Sequence, residues 1–286
     1  GKPMPKPLPS CLPAYEDDFA YQKSEKYQKD LDFFMNEVFD TETMFTTPNG
    51  KGAKECMEGK RFGVTLRIWQ IKAKHMNLRI PKAINDKVNA FAMERRISPQ
   101  SLYLLAFRTF LMQENDTEDL MFMNTVARRA TLAQKRAGGT MVHAIPFRSN
   151  IPRGTSFEDA AVQMSQLQSK YYRHANIAPT AVIEKTSAKF GAKPGTGYHT
   201  ISVTYQPYFS LDDDTIPCHF MRLPNGAATM PLYVTIMPVD NSGDLMCNYE
   251  YICNFIKEES IEKFHKFMLH FLDEGTSHPD VPADKL

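Results

Sequence analysis

The feature that most constrains this chain is a repeated switch between two spacings of apolar residues. Over 15–39, Tyr15, Phe19, Tyr27, Leu31, Phe34, Met35 and Val38 recur mostly at steps of three and four, with Asp, Glu and Lys between them. That spacing predicts one amphipathic helix. Phe62, Val64, Leu66 and Ile68 alternate instead, as in a half-buried strand. The switch then recurs. His75–Ile80 reads as a strand, and Pro81 opens a helix with Ile84, Val88 and Phe91 on one face. Ser98-Pro99 is an N-cap followed by proline in the first turn of a helix. Leu102, Leu105, Ala106 and Phe110 mark that helix as strongly buried.

Leu120–Val126 and Thr140–Arg148 are short apolar runs that read as strands. Ser156, with Asp159 three residues on, begins a helix whose stripe is Phe157, Ala161, Met164, Leu167 and Tyr171. Ile201–Tyr205 alternates. Leu232–Val239 and Leu245–Tyr251 form a predicted strand pair across the turn signal Asn241-Ser242-Gly243. A last helix runs over 258–273 with Ile261, Phe264, Phe267, Met268 and Phe271 inward, and Gly275 is read as its end. The order of elements predicts an α/β fold, a layered sandwich with a mixed sheet. The turn-rich stretch 41–60 reads as a loop, and 276–286 reads as a tail or linker.

Composition excludes more than it selects. A net charge of +1 gives no electrostatic case for nucleic acid or an anionic membrane. No apolar run approaches the roughly 18 residues of a membrane span, and the Pro-rich start GKPMPKPLPS does not read as a signal peptide. Cys11, Cys56, Cys218, Cys247 and Cys253 form no CxxC pair and no zinc spacing, so they read as reduced thiols of a cytoplasmic protein. The sequence holds no GxGxxG or Walker loop, no GxSxG and no HExxH. No two of its eight histidines are adjacent, and none is paired at helical spacing.

Four segments, in order, resemble the condensation domain of nonribosomal peptide synthetases. YEDDFAYQKSEKYQKDLDFFMNEVF (15–39) is similar to a helix that starts at a tyrosine and ends in an aromatic pair, here Phe33-Phe34. NTVARR (124–129) resembles the segment G-T-P-x-A-G-R. GGTMVHAIPFR (138–148) resembles G-x-F-V-N-T-x-P-L-R, and SFEDAAVQMSQLQSKYYRHANIAP follows it like the family's helix leading to His-Gln-x-x-Pro. MPLYVTIMPVDNSGDLMCNYEYICNFIKEESIEKFHKFMLHFL resembles the closing strand pair and final helix. Thr125 stands at the motif's proline, Arg128 at its glycine, His143-Ala144 at Asn-Thr, and Ala175-Asn176 where glutamine follows the histidine.

The resemblance implies one lobe of a two-lobe, chloramphenicol-acetyltransferase-like fold: a linker plus edge helix over 1–60, a C-terminal lobe over 61–275, then the tail. It implies amide formation between a carrier-bound acyl or peptidyl donor and an aminoacyl acceptor. The catalytic HHxxxDG motif is expected upstream, because the chain has no His-His pair. No catalytic residue and no metal are expected within the chain. Arg129 is the expected partner of the motif aspartate across the lobe interface, and Arg148 is expected to be structural. Asn124, His143, Tyr205 and Gln206 are tunnel candidates, and the irregular stretch 205–231 is expected to cross to the other lobe. No cofactor is expected to bind directly, since substrates ride on the phosphopantetheine of carrier proteins. Expected partners are the N-terminal lobe, donor and acceptor carrier proteins and an adenylation domain, with neither nucleic acid nor membrane. Two other readings stay open: a same-fold acyltransferase acting on alcohols or free amines, and a non-catalytic carrier-docking module.

Overall fold

The computed structural model describes residues 9–42, 46–50, 72–129, 131–191, 201–206, 222–240 and 242–286. The predicted strand at 62–68 and most of the 205–231 stretch lie outside these residues. Helices α1 (Leu12–Gln22) and α2 (Glu25–Phe33) replace the single predicted helix. Ser24 takes extended backbone and its side chain accepts from Tyr27 N, so it caps a second helix instead of continuing the first. A π-helical turn, Phe34–Val38, completes α2 and buries Phe34 and Val38.

The remaining elements match the sequence reading except for two helices, Leu132–Arg136 and Pro179–Lys189, which it did not include. They are β1 (Ala73–Ile80), α3 (Lys82–Arg95), α4 (Pro99–Asn115), β2 (Asp119–Val126), α5 (Leu132–Arg136), β3 (His143–Asn150), α6 (Phe157–Tyr172), α7 (Pro179–Lys189), β4 (Ile201–Tyr205), β5 (Leu232–Pro238), β6 (Leu245–Ile252) and α8 (Glu258–Ser277). The helix α7, which begins at Pro179, had no apolar stripe to announce it.

The six strands form one sheet in the order β1-β6-β5-β4-β2-β3. The pairs β2–β4 and β4–β5 are parallel and the other three antiparallel, so the sheet is mixed as predicted. Helix α4 is the centre of the core. Every residue from Gln100 to Met112 is buried, because it lies among the sheet, α6 and α8. Phe107 meets Phe122 of β2 and Phe264 of α8 edge-on, at 5.4 and 5.0 Å between ring centroids.

Two features of the C-terminal end differ from the sequence reading. Gly275 does not end α8 but lies buried within it. A Cβ there would sit 2.2 Å from the Phe157 ring, so the glycine lets α8 approach the start of α6. The stretch 276–286 is docked. Phe157 N and Glu158 N, first in α6 and without helical acceptors, donate to the carbonyls of Val281 and Pro279 at 2.9 and 3.0 Å. Ala283 N donates in return to Thr155 O at 2.9 Å.

Candidate functional site

Strand register decides which side chains share a face. Tyr205 stacks on Tyr103 of α4, Phe122 meets Phe107 edge-on, and Tyr249 meets Phe264 of α8. These contacts mark the helix-covered face. The alternate positions lie on the opposite face, and there the register lines up one polar row. Asn77 lies opposite Asn248, Asn248 opposite Thr235, and Thr235 beside Thr204. Thr204 Oγ1 shares a hydrogen bond of 2.8 Å with Thr125 Oγ1, so the row crosses five strands. Arg222 is pinned against it, donating to Thr235 Oγ1 at 2.9 Å and to Glu250 Oε2 at 3.1 Å. Glu250 is 8% exposed, which makes this ion pair partly desolvated.

Three of the four tunnel candidates instead meet the helices. Asn124 is fully buried; its Oδ1 accepts from Gln100 Nε2 at 3.1 Å and its Nδ2 donates to Tyr172 Oη at 3.3 Å. Tyr172 Oη donates to Gln100 and accepts from Gln168, and Gln168 accepts from Ser101, which closes the network. Tyr205 is packed on Tyr103, and burial pushes its phenol up to about 12. His143 Nδ1 faces the Ala175 carbonyl at 3.1 Å and its Nε2 faces Arg128. Burial and then the Arg128 charge lower its pKa, so the ring is neutral, donating at Nδ1 and accepting at Nε2. Both ring nitrogens are thus engaged. Gln206 follows β4, donates its amide to Ile236 O at 2.8 Å and leaves its side chain exposed.

Arg128, at the motif glycine, keeps the backbone a glycine would favour, with φ +53°. Its side chain is 6% exposed and reaches both Asp18 of α1 and His143. The neighbour Arg129 donates to the carbonyls of Gln134, Ala137 and Gly139, and so closes the loop around α5. Its partners among the described residues are carbonyls, not a carboxylate. Arg148 is held by both oxygens of Asp119, at 2.6 and 2.7 Å, and by Asp40 and the Val38 carbonyl. These carboxylates raise its pKa. Arg148 thereby ties the π-helical turn to the sheet edge. It lines a cavity of about 250 Å³ with Glu37, Asp40, Asp119 and Lys170, all of them ion-paired.

The polar row was missed in the sequence because threonine and asparagine in a strand read as ordinary half-buried positions. Parity with Tyr249 and Tyr205 would have placed them on one face, had the register been known. Among the described residues, no cluster of three or more His, Cys, Asp or Glu side chains is arranged to hold a metal ion. Likewise, no described helix is long and apolar enough to cross a membrane.

The family model for the condensation domain matches residues 14–286. Surfactin synthase subunit 1 of Bacillus subtilis (strain 168) is 17% identical over 266 residues, covering 93% of this chain and 7% of that protein. Bacitracin synthase 3 of Bacillus licheniformis is 21% identical over 283 residues, covering 97% and 4% respectively. The first condensation domain of the CDA synthetase superposes with a TM-score of 0.78 at 16% identity, over 99% of this chain and 58% of that one. VibH, an NRPS condensation enzyme, gives 0.74 at 15% identity, over 98% and 64%. The chain therefore spans less than a tenth of these curated relatives and about three-fifths of these solved chains. With the family model running from α1 to the docked C-terminal residues and the mixed sheet and its helices matching solved members, this chain belongs to the condensation-domain family.

Proposed function

We propose that residues 61–275, with the helices before them, are the C-terminal lobe of a condensation domain. That domain joins a carrier-bound acyl or peptidyl donor to a carrier-bound aminoacyl acceptor through an amide bond. Both substrates arrive on the phosphopantetheine of donor and acceptor carrier proteins, which are loaded by an adenylation domain, in the cytoplasm. The observation that carries the reading is the family match over 14–286 in a chain with no His-His pair. The histidine that orients or deprotonates the attacking amine then belongs to the N-terminal lobe. His143 and His265 support this division, since each has both ring nitrogens engaged within its own lobe. The lobe's contribution is one wall of the substrate tunnel, with Gln206 near the end of β4 as a lining residue. Arg129, on its loop, faces the partner lobe and adds the motif aspartate to its carbonyl partners.

The test compares the 286-residue chain with the two-lobe domain, each given two loaded carrier proteins. Dipeptidyl carrier should form only with the two-lobe protein. Product from the 286-residue chain alone, abolished by His143→Ala, would overturn the assignment. Transfer by the two-lobe protein to free alcohols or amines, with none to an aminoacyl carrier, would replace amide synthesis by the simpler acyl transfer.

A further inference from the structure

Helix α1 turns one face to the loop around α5. Cys11, Tyr15 and Asp18 lie on that face, at steps of four and three. A Cβ on Gly139 would sit 3.0 Å from Tyr15 Oη and 3.6 Å from Cys11 Cβ, so the loop touches the helix there. Asp18 pairs with Arg128 at the other end of the loop. The hold of α1 on the rest of the lobe is slight. Ala14 is its one buried residue, and Tyr21 donates to Asp30 of α2 at 2.8 Å. Leu12 and Phe19, on its other side, are 65% and 66% exposed.

Arg128 is the joint between helix and loop. Its φ of +53° is left-handed, a backbone that a side chain disfavours, so its contacts must hold it. The guanidinium lies between Asp18 and His143 with 6% of the side chain exposed. Arg129 follows directly and donates to the carbonyls of Gln134, Ala137 and Gly139. The direction in which the chain leaves Arg128 therefore sets where the Arg129 fork starts. His143 completes the clamp as a neutral ring, donating from Nδ1 to Ala175 O at 3.1 Å and accepting at Nε2 from Arg128. A proton on Nε2 turns that acceptor into a donor facing a cation. The charged groups facing the ring are Arg128 from the loop and Asp18 from α1, and the chain after α6 offers it only backbone, at Ala175 and Ile177.

We infer that Arg128 is a positioning residue: braced by Asp18 of α1 and by neutral His143, it fixes the loop that carries Arg129. The inference rests on the assignment of Arg129 to the partner lobe, and it adds a control that the assignment lacks. Burial and the Arg128 charge lower the His143 pKa. The clamp is therefore complete above the ordinary histidine range and is lost as pH falls through the lower folded value.

Two measurements test this, from pH 7.5 down to 5. One is amide exchange at Arg129 and Gly138–Val142 in the 286-residue chain, expressed as protection over the intrinsic rate at each pH. The other is the condensation rate of the two-lobe domain with loaded carrier proteins. Asp18→Asn should lower protection of the loop at least tenfold and the rate at least fivefold at pH 7.5. In the wild type, protection should fall with pH. His143→Gln, whose amide oxygen still accepts from Arg128, should match the wild type at pH 7.5 and lose that fall. This variant also separates His143 from His174, which pairs with Asp30 nearby. Arg128→Gly tolerates the left-handed backbone, so adding Asp18→Asn to it should change protection no further. Unchanged protection in Asp18→Asn, or a pH response that persists in His143→Gln, overturns the inference. If Arg129→Ala abolishes turnover while Asp18→Asn leaves it intact, the brace fails and the assignment of Arg129 stands. If Asp18→Asn opens the loop while Arg129→Ala keeps the wild-type rate, the brace stands and the assignment of Arg129 fails.

Discussion

On the helix-covered face of the sheet, Asn124, Gln100, Tyr172, Gln168 and Ser101 close on one another inside the core. On the opposite face, Asn77, Asn248, Thr235, Thr204 and Thr125 form a row of similar chemistry, in which the buried Asn248 Oδ1 has no partner among the described residues. The two faces are built from the same residue types, yet one set is closed and the other open. A closed buried network specifies packing, and breaking it exposes every member to a desolvation cost. An open row carries no such shared cost, because its members do not depend on one another for every hydrogen bond. The difference shows why residue type alone does not locate a site in this fold: Asn124 and Asn248 are both buried asparagines on strands, separated only by parity.

Substitutions on the two faces should therefore differ sharply. The largest effect belongs to the helix side. Gly275→Ala places a Cβ 2.2 Å from the Phe157 ring, and overpacking of this kind costs about 3 kcal/mol. That outweighs the gain of about 1 kcal/mol in helix propensity. Urea unfolding should show the loss, and a variant as stable as wild type would mean α8 and α6 do not meet as described.

Next comes the matched pair of asparagines. Asn124→Leu leaves Gln100 Nε2 without its acceptor in the core and should cost about 2 kcal/mol. Asn248→Leu removes an acceptor with no partner among the described residues and one hydrogen bond to the exposed Asn77, and should stay within about 0.5 kcal/mol of wild type. Equal losses in the two variants, read from denaturation midpoints, would erase the distinction between closed and open faces.

A smaller effect follows from pH. His265 is buried on the helix side between the Tyr249 hydroxyl and the Arg79 carbonyl, at 2.9 and 3.1 Å, and burial lowers its pKa. The neutral ring fits both bonds, accepting from Tyr249 and donating to Arg79. An unfolded histidine titrates near about 6.5. Its stabilising contribution is therefore complete above that value and is lost as pH falls toward the lower folded value. His143 carries the same sign. Stability measured from pH 7.5 down to 5 should decline, and His265→Gln should flatten the decline. A profile as steep in His265→Gln as in wild type would remove His265 from the account.

The elements themselves were legible in the sequence wherever apolar spacing was strong. The strand His75–Ile80, the buried helix after Pro99, the closing hairpin and the mixed α/β class all follow from it. Readings of single small residues fared differently. Gly275 carried a helix-end signal, but only the position of Phe157 across the layer explains a glycine inside α8. Ser24 sat inside an apolar stripe and still won a cap, because its side chain satisfies an amide locally. The segment 276–286 lacks an apolar stripe because it is held by its backbone, through carbonyls offered to the start of α6. Arg128 stands where the motif has glycine. Neither its left-handed backbone nor its pairing with Asp18 and His143 was part of the sequence reading. The parity of Asn124, His143 and Tyr205 required the register, which no local pattern encodes.

The strand order has a consequence for how the chain reaches this state. β1 precedes the other described strands in the chain, yet its sheet neighbour is β6, with Ala73 opposite Ile252. Long-range pairings of this kind slow folding and leave strands waiting. During synthesis β1 lacks this neighbour until residues 245–252 have been made. Its exposed Lys74, His75 and Arg79 resist pairing with another molecule in that interval, as charged edge strands do. The β5–β6 hairpin therefore supplies β1 with its neighbour only after α3 to α7 and β2 to β4 have been made.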